Sequence, residues 1–330
     1  MPNNLSDPWR LFEADYQQNV AENQIRVDFF LSFHQECRAL GIALIPLKGL
    51  ELLIRAYPVL GVRPMVDMDF LIQPKDAAKV KQLLEARGLR RLPDDGLTFV
   101  SRDGRINLDI IWDIWYLPAA LQSGLWTRTV QRPFQGISID CLHPLDSLIY
   151  YLAFVIAHRG QVTPLFSQDL DYFLKAEGAA ISWPDFIQET GRLGFQTAFF
   201  YGLRQARQAG VSIPESALHK LQPRSAVQKK MLQFYESFAS ETGRPRVSYL
   251  CTWLSYPRVS GKLKLLRSKL LPSAFEFELH HGKEKARWYF PFLLFHPFWL
   301  VLRGFATLLR DLRLWKRRSP ALTGPHSPLY

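Results

Sequence analysis

The chain has 330 residues, 48% apolar and 22% charged, which excludes a wholly disordered or collagenous polypeptide and leaves room for two compact units. Its net charge of +11 is uneven: residues 258–318 hold 14 Lys and Arg against 4 Asp and Glu, whereas the rest holds 27 basic and 26 acidic groups. Basicity therefore belongs to the C-terminal segment, and the protein as a whole does not read as a nucleic-acid binder.

The N-terminus is polar and acidic, without the basic-then-apolar order of a secretory leader. Cys37, Cys141 and Cys251 are far apart and form no CxxC pair, which argues against a zinc knuckle or a disulfide framework. Both features lead to an expected cytoplasmic location. Ile25, Phe29, Phe33, Cys37 and Leu40 recur at helical spacing within residues 20–40, and Gly41 follows as a stop. The short apolar run 42–47 predicts a buried strand ended by Lys48-Gly49, and a short helix then runs to Pro58. Residues 59–65 read as a loop and 66–72 (VDMDFLI) as a strand entering the core.

Pro74 suits the first turn of a helix closed by Gly88. Residues 98–101, a turn at 102–104 and 105–112 predict an antiparallel hairpin. After Pro144 the pattern becomes helical, with five amphipathic helices expected within 145–159, 165–176, 183–194, 195–210 and 225–239. Arg258 to Leu271 forms a basic helix candidate. The expected class is α+β: a mixed sheet with flanking helices over residues 1–143, a helical domain over 144–257, and a basic, aromatic-rich segment over 258–330.

The strand at 66–72 carries the sharpest chemical inference. Residues i and i+2 of a strand share a face about 7 Å apart, so Asp67 and Asp69 are expected to project together while Val66, Met68 and Phe70 pack on the other side. Paired carboxylates repel unless a cation lies between them, and Mg²⁺ prefers such hard oxygen ligands together with substrate phosphates. Asp109, sharing a face with Asn107 and Ile111 on the predicted hairpin, offers a third carboxylate in an apolar stretch where burial without a partner is costly. Asp113 is a weaker candidate nearer the strand end.

Leu47-Lys48-Gly49, the run from Arg63 to Asp69, and the later strand bearing Asp109 together resemble the bacterial uncharacterised nucleotidyltransferase family of the polymerase-β-like nucleotidyltransferase superfamily. The specific motifs span about residues 42–115, with a looser match to about residue 175. The resemblance implies transfer of a nucleotidyl group from a nucleoside triphosphate to an acceptor, with release of pyrophosphate. Asp67 and Asp69 would hold Mg²⁺ or Mn²⁺, and Asp109 would complete the site and help activate the acceptor hydroxyl. Two departures from the family pattern are visible. Lys48-Gly49 stands where the superfamily commonly has Gly-Gly or Gly-Ser, and Ile111 stands where relatives often carry His.

Lys48 at a strand end, beside a Gly that permits close approach, suits a triphosphate, and Arg63, in the loop four residues before Asp67, could bind phosphate oxygens bidentately. Each could equally be a surface cation balancing the acids. His158 reads as a structural residue, Asp169 and Asp171 as acids at a helix N-terminus or, for Asp169, as cleft-lining, and His280-His281 lacks further ligands for zinc. No P-loop, dinucleotide-binding or nucleophile-elbow motif occurs.

Residues 288–302 form an aromatic run interrupted by Pro291 and Pro297, too short and broken for a membrane span, with basic residues on both sides. The pattern suits an anionic membrane surface, a core-packing pair or a partner protein; its clumped aromatics argue against nucleic acid. Two functions are expected: a metal-dependent nucleotidyltransferase with an unidentified acceptor, or a fold-retaining binding or scaffold protein. The scaffold would sit at the inner face of a membrane, in an envelope-polysaccharide or peptide-modification pathway suggested by the resemblance.

Overall fold

The computed structural model describes residues 8–239, apart from 93–96, 115, 118 and 161, together with part of the stretch 262–302. The basic helix candidate at 258–271 falls largely outside the described residues. Two compact units are present: Met1–Thr242 with Arg246–Gly261, and Gly243–Pro245 with Lys262–Tyr330.

The first unit opens with α1 (Pro8–Ala39), which starts well before the predicted residue 20. Its fully buried stripe is Val27, Phe30, Phe33 and Cys37, rotated from the predicted Ile25–Phe29 line, and Leu40 is exposed. The helix is apolar on two adjoining faces. Arg87 covers the outer one, its guanidinium lying 5.6 Å from the Phe29 ring, so the inner face is free to meet the sheet. Gly41, at φ +70°, ends the helix in the left-handed region that glycine adopts without strain. Ahead of the predicted start, Tyr16 lies so close to Gly61 that a Cβ there would meet its ring at 2.5 Å. Buried Asn23 donates to the carbonyls of Leu60 and Arg63, both at 2.7 Å. These tertiary contacts hold a helical stretch whose own sequence is polar.

The sheet has five strands: β1 (Leu44–Leu47), β2 (Met68–Ile72), β3 (Arg90–Arg91), β4 (Thr98–Val100) and β5 (Asn107–Ile111), in the order β1-β2-β5-β4-β3. β2 and β5 run parallel, and the other pairs are antiparallel, including the predicted β4–β5 hairpin. Phe70 on β2 meets Phe30 and Phe33 of α1 at 5.7 and 6.2 Å, which fixes the face that carries the core. Between the strands lie α2 (Lys48–Arg55) and α3 (Ala77–Ala86).

A second hairpin, β6 (Val130–Phe134) and β7 (Ile137–Cys141), and the short α4 (Ala119–Leu125) occupy a stretch for which no element was expected. The helices that follow are α5 (Pro144–Leu152), α6 (Pro164–Glu177), α7 (Trp183–Leu193), α8 (Gln196–Gln208), α9 (Glu215–Leu221) and α10 (Ala226–Ala239). All five predicted helices are present, and α9 is additional. Thr163 caps α6 and Ser182 caps α7 with side-chain oxygens, as hydroxyl residues do at helix starts. α5 does not simply continue to residue 159: Ala153–His158 form a π turn. Ile156 of this turn seats against Gly202 of α8, where an added Cβ would stand 2.6 Å from Ile156 Cγ1.

In the second unit a helix covers residues 289–300, running through Pro291 and Pro297, where the sequence had predicted interruptions. Among the described residues no helix is long and apolar enough to cross a membrane.

α2 is unusual in burying charge. Arg55 donates to the Leu142 carbonyl at 2.6 Å and lies 3.6 Å from Glu51 and 3.8 Å from Glu177, which also receives two bonds from Arg132. Burial pushes the Glu51 pKa up from 4.5 to about 7, against the pull of Arg55. Between these values the folded chain keeps a proton that the unfolded chain has lost, so Glu51 makes stability fall as pH rises from 4.5 to about 7 and level off above it. Unfolding free energies of the wild type and Glu51→Gln, taken from urea titrations across that window, should diverge by up to about 3 kcal/mol, the wild type losing ground as pH rises. Parallel curves would show that Glu51 is ionised in the fold throughout.

Candidate active site

The sheet register sets one row of side chains across adjacent strands. Leu47 pairs with Asp69, Asp69 with Asp109, and Asp109 with Thr98. Paired residues of neighbouring strands point to the same face, so the carboxylates of Asp69 and Asp109 stand side by side, about 5 Å apart in backbone spacing. Thr98 Oγ1 donates to Asp109 at 2.6 Å. The alternate residues Met68, Phe70, Leu108 and Ile110 are buried on the opposite face, as alternation predicts.

Asp69 is 2% exposed. Burial first, then the nearby Asp67 and Asp109, raise its pKa to about 6, although the Lys48 ammonium opposes the rise. Lys48 Nζ lies 2.5 Å from Asp69 Oδ1 and 4.0 Å from the centre of the Phe154 ring. To reach there, Lys48 adopts φ +51°, a strained backbone region for a residue with a Cβ, at the junction where β1 turns directly into α2.

Asp67 is placed differently from the expectation. β2 begins at Met68, so Asp67 sits in the loop before it and is exposed, and Val66, expected to pack inward, is 74% exposed. The physical reason is that pairing of β2 with β1 ends at Leu47–Asp69, which leaves residues 66 and 67 no strand to extend. Asp113 likewise lies beyond the end of β5 and is exposed.

Arg63, expected to face phosphate oxygens, is buried and gives Nε and Nη2 to Asp169 at 2.7 and 2.9 Å. Asp169 also accepts from Tyr57 and Tyr151 hydroxyls at 2.6 and 2.7 Å. It stands in the body of α6, not at its first turn, so its partner is this clasp and not the helix dipole. Gly49 serves the same clasp: a Cβ there would meet Arg63 Nη1 at 2.6 Å, so the space expected for a triphosphate beside Gly49 is filled by the guanidinium. His158 stacks on Tyr116 with ring centres 4.8 Å apart, in keeping with a structural role.

A cleft of about 300 Å³ is lined by Lys48, Arg63, Asp67, Tyr151, Phe154 and Arg159, among others; it meets the acid row through Lys48, whereas Asp69 and Asp109 are not part of its lining. Arg159 escaped the sequence reading. It is exposed, follows the π turn, and places its guanidinium 4.8 Å from the Phe154 ring. A larger cavity of about 600 Å³ lies between α6 and the end of α8, far in sequence from the acid row, and its lining mixes apolar and neutral polar residues with the paired Asp171 and Lys175. Convergence of acids, cations and aromatic rings makes the smaller cleft the candidate site.

The donor chemistry suits Mg²⁺ or Mn²⁺, since Asp67, Asp69 and Asp109 offer hard oxygens and the Lys48 ammonium already stands as a cation on Asp69. The expected set of three acids around one ion is not assembled: among the described residues no three His, Cys, Asp or Glu side chains form a group that could hold a metal ion.

Removing Asp169 would leave Arg63 buried without its counter-charge. Asp169→Ala should therefore lower unfolding free energy by about 3–5 kcal/mol, whereas Asp171→Ala, which breaks an exposed pair with Lys175, should leave the urea midpoint unchanged. Equal effects of the two variants would contradict the clasp.

A family model described as an uncharacterised nucleotidyltransferase matches residues 2–209. The match takes in the acid row, the cleft and every helix through α8. No curated protein and no solved structure matches the chain.

Proposed function

The chain belongs to the uncharacterised nucleotidyltransferase family, and on that premise we propose that it moves a nucleoside monophosphate group from a nucleoside triphosphate to an acceptor, releasing pyrophosphate. The observation that carries this reading is the in-register pair Asp69 and Asp109 on adjoining parallel strands, beside a cleft bordered by basic and aromatic side chains. In the reaction, an acceptor hydroxyl oxygen bonds to the α-phosphorus while the bond to the pyrophosphate oxygen breaks. Asp109 takes the proton of the acceptor hydroxyl. Asp67 and Asp69 would hold the divalent cation, which when bound neutralises charge on the transferring phosphoryl group. Arg159, exposed at the cleft, binds phosphate oxygens through its guanidinium fork. Lys48 neutralises Asp69 until the charged substrate arrives.

One observation favours the alternative of a binding or scaffold protein that keeps the fold. Ile111, on the same face of β5 as Asp109, supplies no second polar group to the site. The two readings separate in one assay, with α-labelled nucleoside triphosphates, Mg²⁺ or Mn²⁺, and cell extract as the source of acceptor. Label should transfer with the wild type and fall at least about a hundredfold in Asp67→Ala and Asp69→Ala. Persistence of transfer in both would refute the assigned site, and nucleotide binding without transfer would favour the scaffold. Arg159→Ala should weaken binding of the triphosphate about tenfold, a loss of about 1.4 kcal/mol, measured by titration of the nucleotide.

A further inference from the structure

The helix over residues 289–300 has two unlike faces. On one, Tyr289 and Phe292 pack around Phe277 with ring centres 5.6 and 5.0 Å away, and Phe292 stacks on His296 at 4.5 Å. The other face repeats at every fourth position: Phe290, Leu294 and Phe298 are 76%, 68% and 71% exposed. Phe295, Trp299 and Leu302 widen this stripe and are also exposed, and Trp288 lies open at its start. A continuous aromatic surface of this kind is unfavourable in water and marks a place where something docks.

Charge indicates what docks there. Lys283, Lys285 and Arg287 lie immediately ahead of the helix, and residues 303–318 contain six Lys and Arg against one Asp. A second copy of the chain would bring two strongly basic segments together and be repelled. Nucleic acid would call for aromatics interleaved with cations, whereas here the aromatics are gathered on one helical face and the cations lie at either end. A helix of this length spans about 18 Å, well short of a bilayer core of about 30 Å. It matches an interfacial helix, with Trp near both ends where the headgroups lie and cations placed to meet anionic lipid.

We infer that this helix lies in the surface of an anionic membrane, burying Phe290, Leu294 and Phe298 among the acyl chains while the flanking Lys and Arg contact the headgroups. The inference does not rest on the chemistry of the cleft and stands or falls apart from it.

Flotation of the full chain tests it, using phosphatidylcholine vesicles with and without phosphatidylglycerol. The protein should float with the anionic vesicles about tenfold more than with the neutral ones, and raised salt should release it. Phe290→Ser/Leu294→Ser/Phe298→Ser should reduce the bound fraction about tenfold. Lys283→Glu/Lys285→Glu/Arg287→Glu, which alters only residues flanking the stripe, should reduce it similarly. Recovery of the wild type in the aqueous phase would overturn the inference. So would equal flotation on both vesicle types, or a wild-type dimer that the triple Ser variant converts to monomer without any binding to vesicles.

Discussion

Placing two carboxylates at the same register on adjacent parallel strands costs electrostatic free energy, and much of the first unit can be understood as meeting that cost. Asp69 and Asp109 stand next to each other across the β2–β5 pair, and burial weakens the screening that water would give. Thr98 answers on one side with a hydroxyl, Lys48 on the other with an ammonium. Lys48 reaches Asp69 because β1 passes into α2 without an intervening loop, at the expense of a left-handed backbone for a residue other than glycine. Strain, charge and a cleft thus coincide at one corner of the sheet. That coincidence typifies sites adapted for chemistry more than for stability.

Asp169 joins the other half of the site to this corner. Its carboxylate takes four donors, from Arg63 and from the hydroxyls of Tyr57 and Tyr151, and so ties the loop before β2 to the segment just after α2, to α5 and to α6. Buried pairs of this kind contribute less to net stability than to fixing one geometry, because the desolvation of both charges offsets most of their attraction. The geometry fixed here is the position of the loop carrying Asp67 relative to the aromatic wall of the cleft.

Much of this was legible in the sequence, for identifiable reasons. The β4–β5 hairpin follows from its turn between two strand-like runs and helices α6 to α8 from hydrophobic periodicity, and alternation correctly put Leu108 and Ile110 opposite Asp109. Pairing across the sheet was not legible, and so neither was the start of β2 at Met68 nor the exposure of Val66. The hairpin of β6 and β7 hid behind its turn: Gln135 and Gly136 both take positive φ, the geometry that Asn-Gly usually signals, and Gln is a poor cue for it. The first half of α1 is polar and owes its helix to Tyr16 and Asn23 meeting the 60–63 loop, contacts that no local pattern reveals. The pairing of Arg63 with Asp169 spans 106 positions of sequence and was equally hidden.

The π turn after α5 has a consequence for which side chains meet the cleft. Its wider winding holds one more residue per turn than an α-helix, so that His158 is directed to Tyr116 while Arg159 comes round to the cleft. The wider winding thus sets the angle between the seat of the imidazole and that of the guanidinium, and an ordinary α turn over 153–158 would present a different pair of side chains to Tyr116 and to the cleft.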